Sequence, residues 1–168
     1  MKASRLMRLF ATAVLLFSTA AIADDERVRY ILDQNGCRIV NPSPRPEETV
    51  TWSGSCKDGL ADGKGVLQFF QSGIADEKYE GEMRAGYAEG DGVQTMVDGG
   101  RYEGQFSKSR QHGEGTFYAP DGSIFKGEWK NGKPHGNGTF RTPEGRVTRG
   151  TWVDGVFQPD EPADPNRT

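Results

Sequence analysis

Long apolar runs are missing from this sequence. After residue 23 of 168, none is long enough for a buried helix or a fully buried parallel strand. Only 34% of the residues are hydrophobic and the mean hydropathy is -0.71, too little for one thick core. That excludes a doubly wound or barrel-shaped enzyme. Catalytic signatures are missing too: there is no G-x-S-x-G elbow and no H-E-x-x-H motif. The chain reads as a non-enzyme that needs no cofactor and no metal. Positive charge is in short supply, with 21 Lys and Arg against 24 Asp and Glu. An acidic chain is a poor partner for nucleic acid. Aromatics make up 10% of the residues, which argues against a disordered polar coil.

What is abundant is glycine, 23 residues, about twice the ordinary share of roughly 7%. Aligning Trp52, Tyr79, Tyr102, Phe125 and Thr148 exposes a repeat with intervals of 27, 23, 23 and 23 residues. Counting these residues as position 0, position 2 holds Gly54, Gly81, Gly104, Gly127 and Gly150. Position 4 holds Cys56, Met83, Phe106, Trp129 and Trp152. Position 7 holds Gly59, Gly86, Ser109, Gly132 and Gly155. Position 11 holds Gly63, Gly90, Gly113 and Gly136, and position 13 holds Gly65, Gly92, Gly115 and Gly138. With Gly99, Gly122 and Gly145 at position 20, the template accounts for 20 of the 23 glycines. It also explains the phosphate-loop look of Gly59 to Gly65, which lacks the Ser or Thr that would hold Mg²⁺.

Aromatic, Gly, aromatic at alternate residues places all three on one strand face. Turn signals at 57–59 and at Asn131-Gly132 make each unit a hairpin. The expected register sets position 4 opposite 11, 2 opposite 13 and 0 opposite 15. The ring at position 4, Trp129 for example, would then cover a glycine such as Gly136. Glu80, Glu103 and Glu128 would face solvent. His112 and His135, the only histidines, recur at one repeat position. Two strand spacings, about 9.6 Å, would separate them, too far to share a zinc ion.

The stretches YEGEMRAGYAEGDGV and FKGEWKNGKPHGNGTF resemble the MORN repeat, an aromatic–Gly–aromatic start followed by G-K-x-x-G-x-G. The resemblance covers 52–155, as units 52–78, 79–101, 102–124 and 125–147 and a partial unit 148–155. Cys56, Met83, Ser109 and Thr148 depart from the pattern. The resemblance and the hairpin reading together imply an all-β fold. It is an elongated single-sheet array of antiparallel β-hairpins with an N-terminal cap.

Residues 1–23 read as a signal peptide: Lys2, Arg5 and Arg8, an apolar run, then Ala21-Ile22-Ala23 with cleavage after Ala23. The expected location is therefore export, to a bacterial periplasm or beyond. Residues 24–51 form a cap segment with a Pro-rich loop at 41–48, and 156–168 an acidic, disordered tail. In an oxidising compartment Cys37 and Cys56 should form a disulfide. Symmetric pairing across the Pro-rich loop would set Ile39 against Gly54 and Asn41 against Trp52, bringing the two cysteines face to face.

The function expected is a non-catalytic exported scaffold that binds another protein, or a second copy through a sheet edge. Phe69, Phe70 and Ile74, on the lengthened first unit, are the candidate partner contact. The alternative is an anionic membrane or cell-wall surface, met by Lys108, Arg110, Lys126, Lys130, Lys133, Arg141, Arg146 and Arg149. Residues 101–155 carry 9 basic and 6 acidic residues, whereas 24–100 carry 8 and 15.

Overall fold

The computed structural model describes residues 28–159. The expected signal segment and residues 160–168 lie outside the described residues. The described chain is all β. The cap contributes β1 (Tyr30–Leu32) and β2 (Arg38–Val40). The first unit contributes β3 (Glu48–Trp52), β4 (Ser55–Lys57) and β5 (Leu60–Gln71). Then come β6 (Ile74–Arg84), β7 (Tyr87–Thr95), β8 (Arg101–Ser107) and β9 (Arg110–Tyr118). The series ends with β10 (Ile124–Lys130), β11 (Lys133–Arg141), β12 (Val147–Val153) and β13 (Val156–Gln158). From β5 to β13 each strand pairs with the next in one open antiparallel meander, two strands per repeat.

The hairpins are tight for a sequence-encoded reason. Asp58-Gly59, Ala85-Gly86, Lys108-Ser109, Asn131-Gly132 and Asp154-Gly155 all have positive φ at both residues. That is the two-residue type I′ turn, whose twist matches the flanking strands. Ser109 enters the left-handed region at φ 60°, and its Oγ accepts a hydrogen bond from the Ala88 N–H at 3.0 Å. The four extra residues of the first unit lengthen β5 and β6 to 12 and 11 residues, joined by a turn at Ser72-Gly73. Residues 156–158, assigned to the tail from sequence, instead form a short strand that completes a fifth hairpin.

The register agrees with expectation at positions 0 and 2: Phe125 faces Phe140 and Gly127 faces Gly138. It departs at position 4. Trp129 faces Pro134, Phe106 faces Gln111 and Met83 faces Ala88, so position 4 pairs with position 9. The cause is a bulge at position 11, where Gly63, Gly90, Gly113 and Gly136 all have positive φ. Trp129 therefore does not cover Gly136. Glu128 does: a Cβ added at Gly136 would lie 2.6 Å from its carboxylate, which accepts the Asn137 N–H at 2.8 Å. Glu128 is exposed as expected, yet it fastens the bulge.

The rings that cover the glycines of positions 2 and 13 are mostly those of position 0. A Cβ on Gly115 would come within 2.5 Å of the Tyr102 ring, and one on Gly65 within 2.6 Å of Trp52. The glycines form a ladder across eight strands: Gly65, Gly81, Gly92, Gly104, Gly115, Gly127, Gly138 and Gly150. Three of these rings also donate a hydrogen bond to a carbonyl three residues on. Tyr79 Oη donates to the Glu82 carbonyl, Tyr102 Oη to Gln105 and Trp52 Nε1 to Ser55. Burial pushes the Tyr79 and Tyr102 phenols up to about 12.

One face carries the core. Edge-to-face contacts link Tyr79, Phe106, Tyr102, Trp129, Phe125 and Trp152 in a continuous row with centroids 5.0 to 5.5 Å apart. Such pairs add about 0.5–1.5 kcal/mol each beyond burial.

Candidate functional site: an inner-face groove

The inner face is one continuous trough built from repeat positions 0, 4, 7, 9 and 15. In its first half the cap lies over it. Cys37 and Ile39 are buried in the same core as Ala61, Met83 and Ala88. β2 runs along the row of hairpin turns. Its Arg38 N–H donates to the Gly59 carbonyl at 3.0 Å and its Val40 N–H to the Gly86 carbonyl at 2.9 Å. Ile39, between them, points into the trough. A Cβ on Gly86 would meet the Arg38 carbonyl at 3.2 Å and Val40 at 3.4 Å, so this turn is pressed by the cap.

Cys37 and Cys56 form the disulfide, with Cα atoms 5.8 Å apart. The expected symmetric pairing is not its basis. β3 and β4 pair with β5, while β2 pairs with β1 and touches β5 in parallel at Leu60. The bond ties a segment lying on the face to the strand beneath it. The Pro-rich loop is fastened separately: Arg45 pairs with Glu48 and Asp76, which raises its pKa through the Asp76 hydrogen bond first and the Glu48 bond next.

The remaining space under the cap is a 270 Å³ cavity lined by Ile39, Leu67, Tyr79, Met83 and Phe106. In the second half the trough is uncovered among the described residues. There it forms a 520 Å³ groove lined by Phe117, Trp129, Pro134, Phe140, Trp152 and Phe157. Position by position these are the equivalents of the residues under the cap. A row of amides marks the junction: Gln94 Nε2 donates to Glu77, and Gln111 Nε2 to Gln94 Oε1.

The residues singled out from sequence are dispersed. Phe69 and Phe70 are adjacent on β5 and point to opposite faces. Phe69 packs against the core, Phe70 is half-buried, and Ile74 is 73% exposed at the turn. All eight basic residues are exposed, in three places. Lys126 and Arg149 flank Thr139 across the outer face. Lys108, Arg110, Lys130 and Lys133 crowd the two-residue turns. Arg141 and Arg146 lie at the opposite ends of the strands. His135 Nδ1 accepts a long 3.5 Å hydrogen bond from Asp154. Among the described residues no three His, Cys, Asp or Glu side chains are grouped to hold a metal ion.

Sequence reading missed the groove residues Phe117, Pro134 and Phe140. A partial signal was available: position 9 gains bulk from Ala61 and Ala88 to Pro134 and Phe157, and position 15 holds Phe117 and Phe140 in the third and fourth units.

Comparison with known proteins agrees with this geometry. No curated protein is similar enough to count as a match. The family profile of the MORN repeat matches residues 52–72, 79–101, 102–124 and 125–145. MORN repeats are in general protein- or membrane-binding modules, and proteins built from them are in general non-catalytic scaffolds. Four matched units coincide with the structural hairpins and span just over half of the sequence: the chain belongs to the MORN-repeat family.

Proposed function

We propose that this protein is an exported, non-catalytic scaffold of the cell envelope that binds another protein in the open half of its trough. The observation that carries the reading is the contrast within that trough. The same repeat positions that lie under the cap in the first half line an uncovered apolar groove in the second. Apolar concavity with a few polar groups is the usual form of a recognition site. The signal-like segment ending at Ala23 and the Cys37–Cys56 disulfide support an oxidising compartment.

Binding to an anionic membrane or cell-wall surface is the second reading, favoured by the Lys126–Thr139–Arg149 row on the outer face. The basic side chains are spread over one face and both ends of the strands, whereas surface binding draws on dense clusters.

The test is site-specific photocrosslinking in the exported protein. A photoreactive phenylalanine replaces Phe140 in the groove or Lys126 on the outer face. A discrete protein captured from Phe140 and not from Lys126 is the expected result. Capture from Lys126 alone, or from neither position, overturns the assignment. Intact mass of the exported form should show an N-terminus at Asp24 and a loss of about 2 Da for the disulfide. Retention of residues 1–23 in the extracted protein would refute export by cleavage.

A further inference from the structure

The cap shows how the trough takes an occupant. An extended strand lies along the turns and contributes one N–H per repeat, from alternate residues, to the carbonyl at position 7. The side chain between those donors enters the trough. The series ends after Val40: Pro42, the next alternate residue, has no N–H, while the Asn41 N–H between them continues the β1–β2 ladder to Arg29. The next carbonyls in the row belong to Ser109, Gly132 and Gly155. They accept no backbone hydrogen bond among the described residues. A Cβ added at Gly155 would meet nothing within 4 Å, in contrast to Gly86 under the cap.

Charge specifies the occupant further. The turns around Ser109 and Gly132 carry Lys108, Arg110, Lys130 and Lys133. All four are exposed, and none is ion-paired among the described residues. The turns under the cap carry Lys57 and Arg84 with Asp58 between β4 and β5, a smaller excess.

We propose that the open groove receives an extended, acidic segment of a partner protein with apolar side chains at alternate positions. This rests on the scaffold reading above and names its ligand class. The segment continues the line of β2. Its acidic residues donate their backbone N–H groups to Ser109 and Gly132 and direct their carboxylates to the basic turns. Its apolar residues insert between Trp129, Pro134, Phe140 and Trp152. Backbone bonds supply affinity, and the alternate side chains supply specificity.

The experiment uses the full disulfide-bonded chain and synthetic probes. The first probe is the capped peptide Glu-Ile-Glu-Val-Glu-Ile-Glu. The others are its Lys-for-Glu counterpart and two N-methylated forms, one methylated at the Glu nitrogens and one at the apolar residues. Binding is read by tryptophan emission and by amide NMR shifts. We expect the acidic peptide to bind about tenfold or more tighter than the basic one, with shifts at 108–110 and 130–133. Lys130→Glu with Lys133→Glu should weaken it about tenfold. Methylation at the Glu nitrogens should abolish binding, and methylation at the apolar residues should leave it.

Equal binding of acidic and basic peptides, or indifference to which nitrogens are methylated, overturns the proposal. So does displacement of the acidic peptide by phosphatidylglycerol vesicles that contact the same turns more tightly. Self-association through the groove in sedimentation would assign the site to a second copy, also against the proposal. If the peptides fail while a crosslinker at Phe140 still captures a partner, this proposal falls and the scaffold reading stands. If both fail, both fall.

Discussion

The first two repeats and the last three are built to one template, yet they end in different states. In the first half the cap lies over the trough, bonded to two turns and tied by a disulfide to the strand below. In the second half the same positions carry larger apolar side chains and no cover among the described residues. The difference teaches that a MORN ribbon does not need its trough covered in order to fold. The T-shaped ring row runs without a break from Tyr79 to Trp152, through both halves. Covering is therefore an added interaction, which one half receives from its own chain and the other leaves available.

The largest effect should come from breaking what the halves share. Tyr102 is fully buried at their junction, in contact with Phe106 and Trp129 and lying over Gly104 and Gly115. Tyr102→Ala should lower unfolding free energy by about 3–5 kcal/mol, as large-to-small aromatic core changes do. Denaturant melts would measure it. A loss below about 1 kcal/mol would mean that the row does not couple the halves.

Next comes the cap. Cys37→Ser with Cys56→Ser removes a crosslink that spans 19 residues of sequence separation. It should cost about 3 kcal/mol and let the cap lift, so that the first half resembles the second. Hydrogen exchange at Arg38 and Val40, whose amides bond Gly59 and Gly86, is the local readout. Unchanged protection there would show that packing of Ile39 alone holds the cap.

A smaller effect separates equivalent turn glycines. Gly86 and Gly155 both have positive φ, so alanine at either should cost about 1–2 kcal/mol in backbone strain. At Gly86 the new Cβ also meets the cap within 3.2 Å, whereas at Gly155 it meets nothing within 4 Å. Gly86→Ala should therefore be the more harmful. Equal costs in parallel melts would deny the contrast between covered and open turns.

Most of the scaffold was legible in the sequence. Twenty glycines on one template gave the hairpins, and positions 0, 2, 13 and 15 paired as expected. What failed was local. A symmetric hairpin has no bulge, and glycine at position 11 reads equally well as a place under a ring or as a left-handed residue. Gly136 is the second, so Trp129 shifts to Pro134 and Glu128 takes the space above the glycine. The cysteine pairing was legible from parity and the expectation of export, but its geometry was not. Nothing in residues 37–56 says that β2 lies on the face instead of in the plane of the first hairpin. The groove was not legible because position 9 runs Ala61, Ala88, Gln111, Pro134, Phe157 and position 15 runs Leu67, Gln94, Phe117, Phe140, with no single departure from the template to mark it.

The smallest effect at neutral pH falls on position 0, which both halves share. Tyr79 and Tyr102 occupy position 0 in the second and third repeats, and Phe125 occupies it in the fourth. Burial holds both phenols near 12, above their ordinary value of 10.0. The unfolded chain loses these protons as pH passes 10, while the folded chain still holds them. The stabilisation is complete below pH 10 and is lost as pH rises toward 12. Spectrophotometric titration should show Tyr79 and Tyr102 ionising only as pH approaches 12, together with loss of the fold. Tyr79→Phe should remove one late proton and the hydrogen bond to Glu82, at a cost of about 1 kcal/mol near pH 7. Phe125 shows that the ring alone can fill this position. If Tyr79 and Tyr102 ionise near pH 10 while the fold persists, position 0 is not sealed, and the ring-over-glycine packing assigned to both halves is wrong.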